Sequence, residues 1–218
     1  MSILITGANR GIGLALARRY SLSDASVIGT TRSTSPAPGV EWHKADLRDP
    51  AQIDGLATAL SGRPLDLLIC NAGVYLDKGQ RLGSGFAPDL WAETFAVNVT
   101  GVFLTIQALL PNLRAASGKI AILSSIMGSD SRAPGGSYIY RASKAAVLNL
   151  GRNLAVDLRA DGVAVGIYHP GWVQTDMGGA AADVTVEEAV IGLEERFAAL
   201  SLATTGCFET YAGEALPF

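Results

Sequence analysis

Thr6-Gly7-Ala8-Asn9-Arg10-Gly11-Ile12-Gly13 decides the fold, because the apolar run Ser2-Ile3-Leu4-Ile5 leads straight into it and a helical pattern leads straight out. Glycines at a strand-to-helix turn permit positive φ and close approach of the backbone to a ligand. The unpaired N–H groups and dipole of the helix start then attract a pyrophosphate. A tight connection would explain the glycines too, but a strand before and a helix after favour the nucleotide. Outward from this turn, short apolar runs recur at residues 3–6, 26–31, 40–43, 65–70, 119–124 and 163–168, with a seventh at 206–209. Helical stripes alternate with them: Ile12, Ala15, Leu16 and Tyr20 share one face, Val102, Ile106, Leu109 and Leu113 another, and Val147, Leu150, Leu154 and Leu158 a third. This βαβα alternation describes a parallel sheet covered on both faces, with its ligand in the crevice beyond the C-terminal strand ends. Residues 33–39, 78–88, 129–137 and 171–183 read as loops, the last three as candidates for a pocket rim.

Composition narrows the function classes. The 218 residues, 49% hydrophobic with no break in character, predict one domain over 1–218. A formal charge of -3 gives nucleic acid no electrostatic support. Mean hydropathy is +0.28, yet no apolar run approaches the roughly 20 residues that span a bilayer, so no membrane partner is expected. Cys70 and Cys207 lie far apart, outside any C-x-x-C pair, which argues against a metal knuckle or a disulfide framework. With no leader pattern before the first strand, a cytoplasmic protein is expected.

Charge near the adenosine ribose decides the cofactor. A free ribose hydroxyl pair favours a carboxylate at the end of the second strand, whereas a 2′-phosphate favours arginine. Here the strand ends Thr30-Thr31-Arg32, with Arg10 in the glycine turn as a second cation, so NADP(H) is expected with both arginines on the phosphate. Two solvated surface arginines are the alternative. Asp46-Leu47 follows the third strand where an adenine edge can be read, although Asp46 also suits a loop or helix cap.

Tyr140-Arg141-Ala142-Ser143-Lys144 opens a long helical pattern, and the i, i+4 spacing puts phenol and ammonium on one face. A carbonyl reduced by hydride needs a proton, and a tyrosine with an ordinary pKa of about 10 is a slow acid–base at neutral pH. Lys144 and an oxidised nicotinamide would favour the phenolate and lower that value. Y-x-x-x-K alone is common on solvated helices; its place after a nucleotide turn and after the strand ending Ser124-Ser125 gives it weight. Ser125 Oγ can hold a substrate oxygen, though serines also end strands for turn chemistry.

Together these residues resemble the short-chain dehydrogenase/reductase family over essentially the whole chain. Thr6-Gly7-x-x-x-Gly11-x-Gly13 resembles its cofactor turn, Asn71-Ala72-Gly73 its N-A-G, Asn98 its helix asparagine, Ser125 its serine and Tyr140/Lys144 its catalytic pair. The resemblance implies a doubly wound Rossmann-type domain with a mostly parallel seven-stranded sheet in the order 3-2-1-4-5-6-7. It implies Tyr140 as proton donor or acceptor, Lys144 on the nicotinamide ribose, and a water held by Asn98 that links Lys144 to solvent. Gly7, Asn9, Arg10, Gly11, Ile12, Gly13, Arg32, Asp46, Leu47, Asn71, Ala72 and Gly73 are then cofactor residues, joined by Tyr140, Lys144, Pro170 and Gly171, with Val173 and Thr175 at the carboxamide. A dimer through the helices near Asn98 and Tyr140 is also implied. The stretch from Ser125 to Tyr140 is slightly longer than the family pattern, which keeps Ser124 as an alternative serine. His169-Pro170-Gly171-Trp172-Val173-Gln174-Thr175-Asp176-Met177-Gly178-Gly179 looks most like the small carbonyl-reductase branch that includes the sniffer and C-factor proteins.

His43 and His169 lack acidic or cysteine partners at ligand spacing, so no metal is expected and both read as structural. Trp172, Tyr138 and Met127 suit a pocket wall but also local packing. The resulting expectation is an NADP(H)-dependent, reversible reductase of ketones and aldehydes acting on a small molecule. An NAD-linked alcohol dehydrogenase and a nucleotide-binding signalling protein on the same fold are the alternatives.

Overall fold

Ile3, Leu4 and Ile5 are wholly buried in succession, which only a strand covered on both faces permits. The computed structural model describes residues 1–33 and 37–218, so part of the expected 33–39 loop lies outside the described residues. The strands are β1 (Ser2–Ile5), β2 (Ser26–Thr31), β3 (Glu41–Lys44), β4 (Leu67–Cys70), β5 (Lys119–Leu123), β6 (Ala164–His169) and β7 (Phe208–Thr210). They form one sheet in the order β3-β2-β1-β4-β5-β6-β7. Every pairing is parallel. The expected doubly wound architecture and strand order are thus present.

Helices α1 (Gly11–Tyr20), α2 (Pro50–Ala59), α3 (Pro88–Phe95), α4 (Gly101–Ala108), α5 (Leu110–Ala116), α6 (Tyr138–Asp157) and α7 (Val186–Ala199) cover the sheet. One face carries a core of Leu4, Leu68, Ile120, Ile122, Val147 and Ile167; the other carries Ile3, Ile5, Leu16, Ile69, Tyr168 and Phe197. Strand ends shift by a residue or two from the sequence reading for local reasons. Ser2 joins β1 because its N–H is held by the Asp66 carboxylate at 2.6 Å. Residue 65 falls outside β4 because its N–H turns to the Asn112 carbonyl at 3.0 Å.

The helix expected to start near Asn98 instead begins at Pro88, passes through a π-turn at Ala96–Thr100, and continues as α4. The stripe Val102–Leu113 crosses a break at Leu109, after which Pro111 sits in the first turn of α5. Among the described residues no single helix is long and apolar enough to cross a membrane; the pair Pro88–Ala108 and Leu110–Ala116 passes on length and composition but bends by 57°.

Helix α6 lies close on the sheet at Gly151, where a Cβ would stand 2.7 Å from Ile167 Cγ1 and 3.2 Å from Ile122 Cδ1. Gly151→Ala is therefore expected to overpack the core by about 1–3 kcal/mol and lower the melting temperature by several degrees. Calorimetry of the variant checks this, and an unchanged melting temperature would contradict the packing described.

Candidate functional site

The C-terminal ends of β1 and β4 part at the centre of the sheet, and side chains rather than strand pairing hold the gap. Asn71 Nδ2 donates to the carbonyls of Thr6 (2.9 Å) and Gly7 (3.0 Å), while Thr6 Oγ1 accepts from the N–H groups of Asn71 and Ala72. Gly7 and Gly11 take φ of +64° and +52°. A Cβ on Gly13 would stand 2.4 Å from Asn71 Nδ2 and 2.6 Å from the Gly7 carbonyl. The glycine turn is thereby pressed flat against the N-A-G segment, leaving its outer side to an open cleft.

Most of the expected cofactor residues meet there. Gly7, Asn9, Arg10, Gly11 and Ile12 line one end of the cleft; Arg32, Asp46 and Leu47 line the adenosine side; Asn71, Ala72 and Gly73 form its floor. Tyr140, Lys144, Pro170 and Thr175 close the other end. Gly13 is buried behind the turn. Asn71 acts as a brace, its amide spent on the turn. The Asp46 carboxylate binds the Arg48 guanidinium and the Arg48 N–H, which keeps it below the ordinary carboxylate pKa, while Asp49 caps α2. Val173 packs against Val184 and Ala189, so any cofactor contact there falls to its main chain. Gly171 turns the chain at φ +89°.

Arg10 lines the glycine-turn end of the cleft. Its guanidinium reaches across the cleft mouth to Asp176 at 3.2 Å, an exposed pair, whereas Arg32 stays at the adenosine side. On the opposite side Lys78 Nζ donates to the Met177 carbonyl at 3.1 Å. The 171–183 loop is thus tied over the cleft from two directions.

At this other end, Ser125 Oγ accepts from the Met127 N–H at 3.1 Å and lies near enough to the Tyr140 phenol to favour its ionised form. Ser124 Oγ instead donates to the Lys144 carbonyl at 3.1 Å and is buried, while Ser124 still lines the cleft. Lys144 Nζ donates to the Leu123 carbonyl at 2.9 Å and lies 5.6 Å from the Tyr140 ring centroid. Burial lowers the Lys144 pKa to about 8. Burial also holds the Tyr140 phenol well above its ordinary pKa, with only the neighbouring Ser125 hydroxyl working the other way. In the chain by itself both groups are dehydrated, and the ammonium points its bond at a backbone carbonyl.

Asn98 is buried in the π-turn, where Nδ2 donates to the Val74 carbonyl (2.9 Å) and Ser143 Oγ (3.0 Å) and Oδ1 accepts from the Val74 N–H (2.8 Å). Both donors of its amide are thus committed to protein. His169, read from sequence as structural, lies within electrostatic reach of Lys144 and Arg132; burial lowers its pKa to about 4, and its Nδ1 is buried without a partner. Its position directly before Pro170 was the available signal. Trp172 and Tyr138 are partly exposed; Trp172 Nε1 donates to the Gly178 carbonyl, and Tyr138 meets Phe86 edge-on at 5.2 Å. Among the described residues no cluster of metal-ligating side chains occurs.

A family model described as short chain dehydrogenase matches residues 1–184. C-signal of Myxococcus xanthus is 38% identical over 164 residues, covering 74% of this chain and 98% of that protein. NADPH-bound carbonyl reductase from chicken fatty liver superposes with a TM-score of 0.91 at 30% identity, covering 100% of this chain and 98% of the other. Carbonyl reductase Sniffer of D. melanogaster gives 0.92 at 28% identity, with 100% and 99% coverage.

The two serines have separable roles on this geometry. Ser125→Ala should cut turnover by tenfold or more with little change in melting temperature. Ser124→Ala should cost about 1 kcal/mol of stability through the lost helix bond and leave most turnover. Steady-state rates and thermal melts of both variants check the pair; the reverse pattern would exchange their assignments.

Proposed function

Since this chain belongs to the short chain dehydrogenase family, we propose that this oxidoreductase is an NADP(H)-dependent carbonyl reductase, reversible as an alcohol dehydrogenase. The observation that carries the reading is the meeting of Tyr140 and Lys144, with Ser125 beside the phenol, at one end of the cleft whose other end is the glycine turn. The turn fits a dinucleotide, because the space a Cβ on Gly13 would need is already filled and the backbone is free to approach phosphate. Arg32 and the lack of an acid at the tip of β2 favour the 2′-phosphate. NADPH-bound and NADP-bound structures among the similar proteins support the same choice.

The bound cofactor supplies hydride from the nicotinamide ring. The chain's residues do the rest. Ser125 orients the carbonyl oxygen, with its own hydroxyl aligned by the Met127 N–H. Tyr140 delivers the proton to that oxygen, and its raised pKa keeps it protonated until the charge of a bound cofactor and substrate acts on it. Lys144 holds the nicotinamide ribose. Arg10, Ile12, Asp46, Leu47, Ala72, Pro170, Thr175 and the main chain of Val173 complete the cofactor site, and Asn98 keeps the floor beside Lys144 in register. One domain over 1–218 carries both halves, a homodimer forms through α4 and α6, and the two free cysteines suit the cytoplasm.

The name of the relative C-signal favours a second reading, a signalling protein that retains the nucleotide cleft. Intact Ser125, Tyr140 and Lys144 speak for the enzyme. NADPH oxidation at 340 nm against aliphatic, aromatic and dicarbonyl compounds separates the two, since binding without turnover supports signalling. In the active enzyme, Tyr140→Phe should lose nearly all turnover while keeping NADPH affinity, and Lys144→Ala should lose both. NADPH should bind more tightly than NADH, and Arg32→Ala should shrink that preference roughly tenfold. Titration of cofactor fluorescence measures it, and a preference for NADH would overturn the assignment.

A further inference from the structure

Helix α6 begins without the cap its own sequence would supply. Ser137, the residue in the cap position, sits in the left-handed region at φ +50° and makes no capping bond; its hydroxyl is engaged by the Tyr75 hydroxyl instead. The first N–H groups of a helix need acceptors, and a local cap side chain normally serves the second or third of them. Here a residue from the segment after β4 does so. Asp77 accepts from the Ile139 N–H at 2.9 Å through one carboxylate oxygen and from the Tyr140 N–H at 3.2 Å through the other.

Asp77 is fully buried, at 0% exposure. A buried carboxylate is costly unless its charge is met by donors or cations. None of the ion pairs among the described residues includes it, and the adjacent Lys78 turns away to the Met177 carbonyl. The helix N-terminus is what balances it, through two charge-assisted bonds and the positive end of the helix dipole.

We infer that Asp77 is the positioning residue for Tyr140: it caps the helix from outside and thereby fixes where the phenol stands in the cleft. One of its two donors is the N–H of Tyr140 itself, so the residue is gripped at its backbone. Two residues earlier, Tyr75 stacks on the Tyr140 ring with centroids 4.3 Å apart and planes 23° apart, so the same segment also grips the ring. Asn98 anchors this segment by its paired bonds to Val74, and its bond to Ser143 Oγ returns to α6. Asn98, Val74, Asp77, Tyr140 and Ser143 thus close a circuit around the catalytic tyrosine. The titratable and charged groups facing the phenol are Lys144 on its own helix and Tyr75 and Asp77 from the segment after β4; His169 at the end of β6 and Arg132 from the loop before α6 lie on the Lys144 side. The Asp77 charge opposes ionisation of the phenol, so removing it eases that ionisation.

This inference rests on Tyr140 as the acid–base of the proposed reaction, and two variants separate charge from geometry. Asp77→Asn keeps the shape but removes the charge and sets an amide N–H against one of the two backbone donors. In single-turnover reduction of the best carbonyl in the panel it should be slower by roughly tenfold, with the Kd for NADPH unchanged within about twofold. The rising limb of the pH profile for oxidation of the matching alcohol should move to lower pH by several tenths of a unit. Asp77→Glu keeps the charge and displaces the helix start, so its limb should stay in place while its rate falls. A wild-type rate in Asp77→Glu, or an unmoved limb in folded Asp77→Asn, overturns the positioning role. Tyr140→Phe, measured beside them, distinguishes the two failures: retained turnover there removes the acid–base reading itself, whereas an inactive Tyr140→Phe beside an unaffected Asp77 series removes only this inference.

Discussion

Four hydrogen bonds join the loop after β1 to the loop after β4, and the rest of the molecule is arranged about them. A doubly wound sheet changes direction between those two strands, so their continuing chains diverge and leave backbone groups without strand partners. Thr6 and Asn71 satisfy these groups with side chains. The weld lets the glycine turn face outward and makes the N-A-G segment a rigid floor. Without it the crevice would exist as topology but its walls would have no fixed separation.

The cleft built on that floor has two halves of different origin. The cofactor half is local: a strand, a turn and a helix start, all within residues 2–20, with contributions from the ends of β2 and β3. The catalytic half is assembled from far apart in the chain. Ser125 is set by a 3₁₀ turn after β5, Tyr140 and Lys144 by α6, and the start of α6 by a carboxylate 62 residues before Ile139. Burial is shared by both ionisable groups, Tyr140 and Lys144, and pushes each toward its neutral form. On the proposed mechanism, charge brought by a ligand, rather than charge already present, would start the proton transfer.

The local half and the sheet were legible in the sequence because they depend on periodicity and on residues adjacent in the chain. The alternation of apolar runs and helical stripes yields strand order once the family resemblance is added, and Thr6–Gly13 announces its own geometry. Contacts between distant residues were not legible. Nothing in the spacing of Arg10 points to Asp176, and nothing in Asp77 distinguishes it from a loop acid until the fold buries it under α6. The sequence could not separate Ser124 from Ser125 either, since both end a strand; only the turn of the backbone gives one to the Lys144 carbonyl and the other to the Met127 N–H. The burial of Tyr140 was illegible for a related reason: a motif conveys which charges are near, but not how much water has been removed.

The π-turn at Ala96–Thr100 has a consequence for the long helical stretch around it. Such a turn holds one more residue than an α-turn and often marks a functional site, so the amphipathic phase of α3 does not carry through into α4. Asn98 can face the Val74 backbone only because of that slip, while Val102 and Ile106 still reach the core. Deleting a single residue here would straighten the helix and swing the carboxamide around the axis, so chain length in this stretch is as strictly set as the identity of the asparagine.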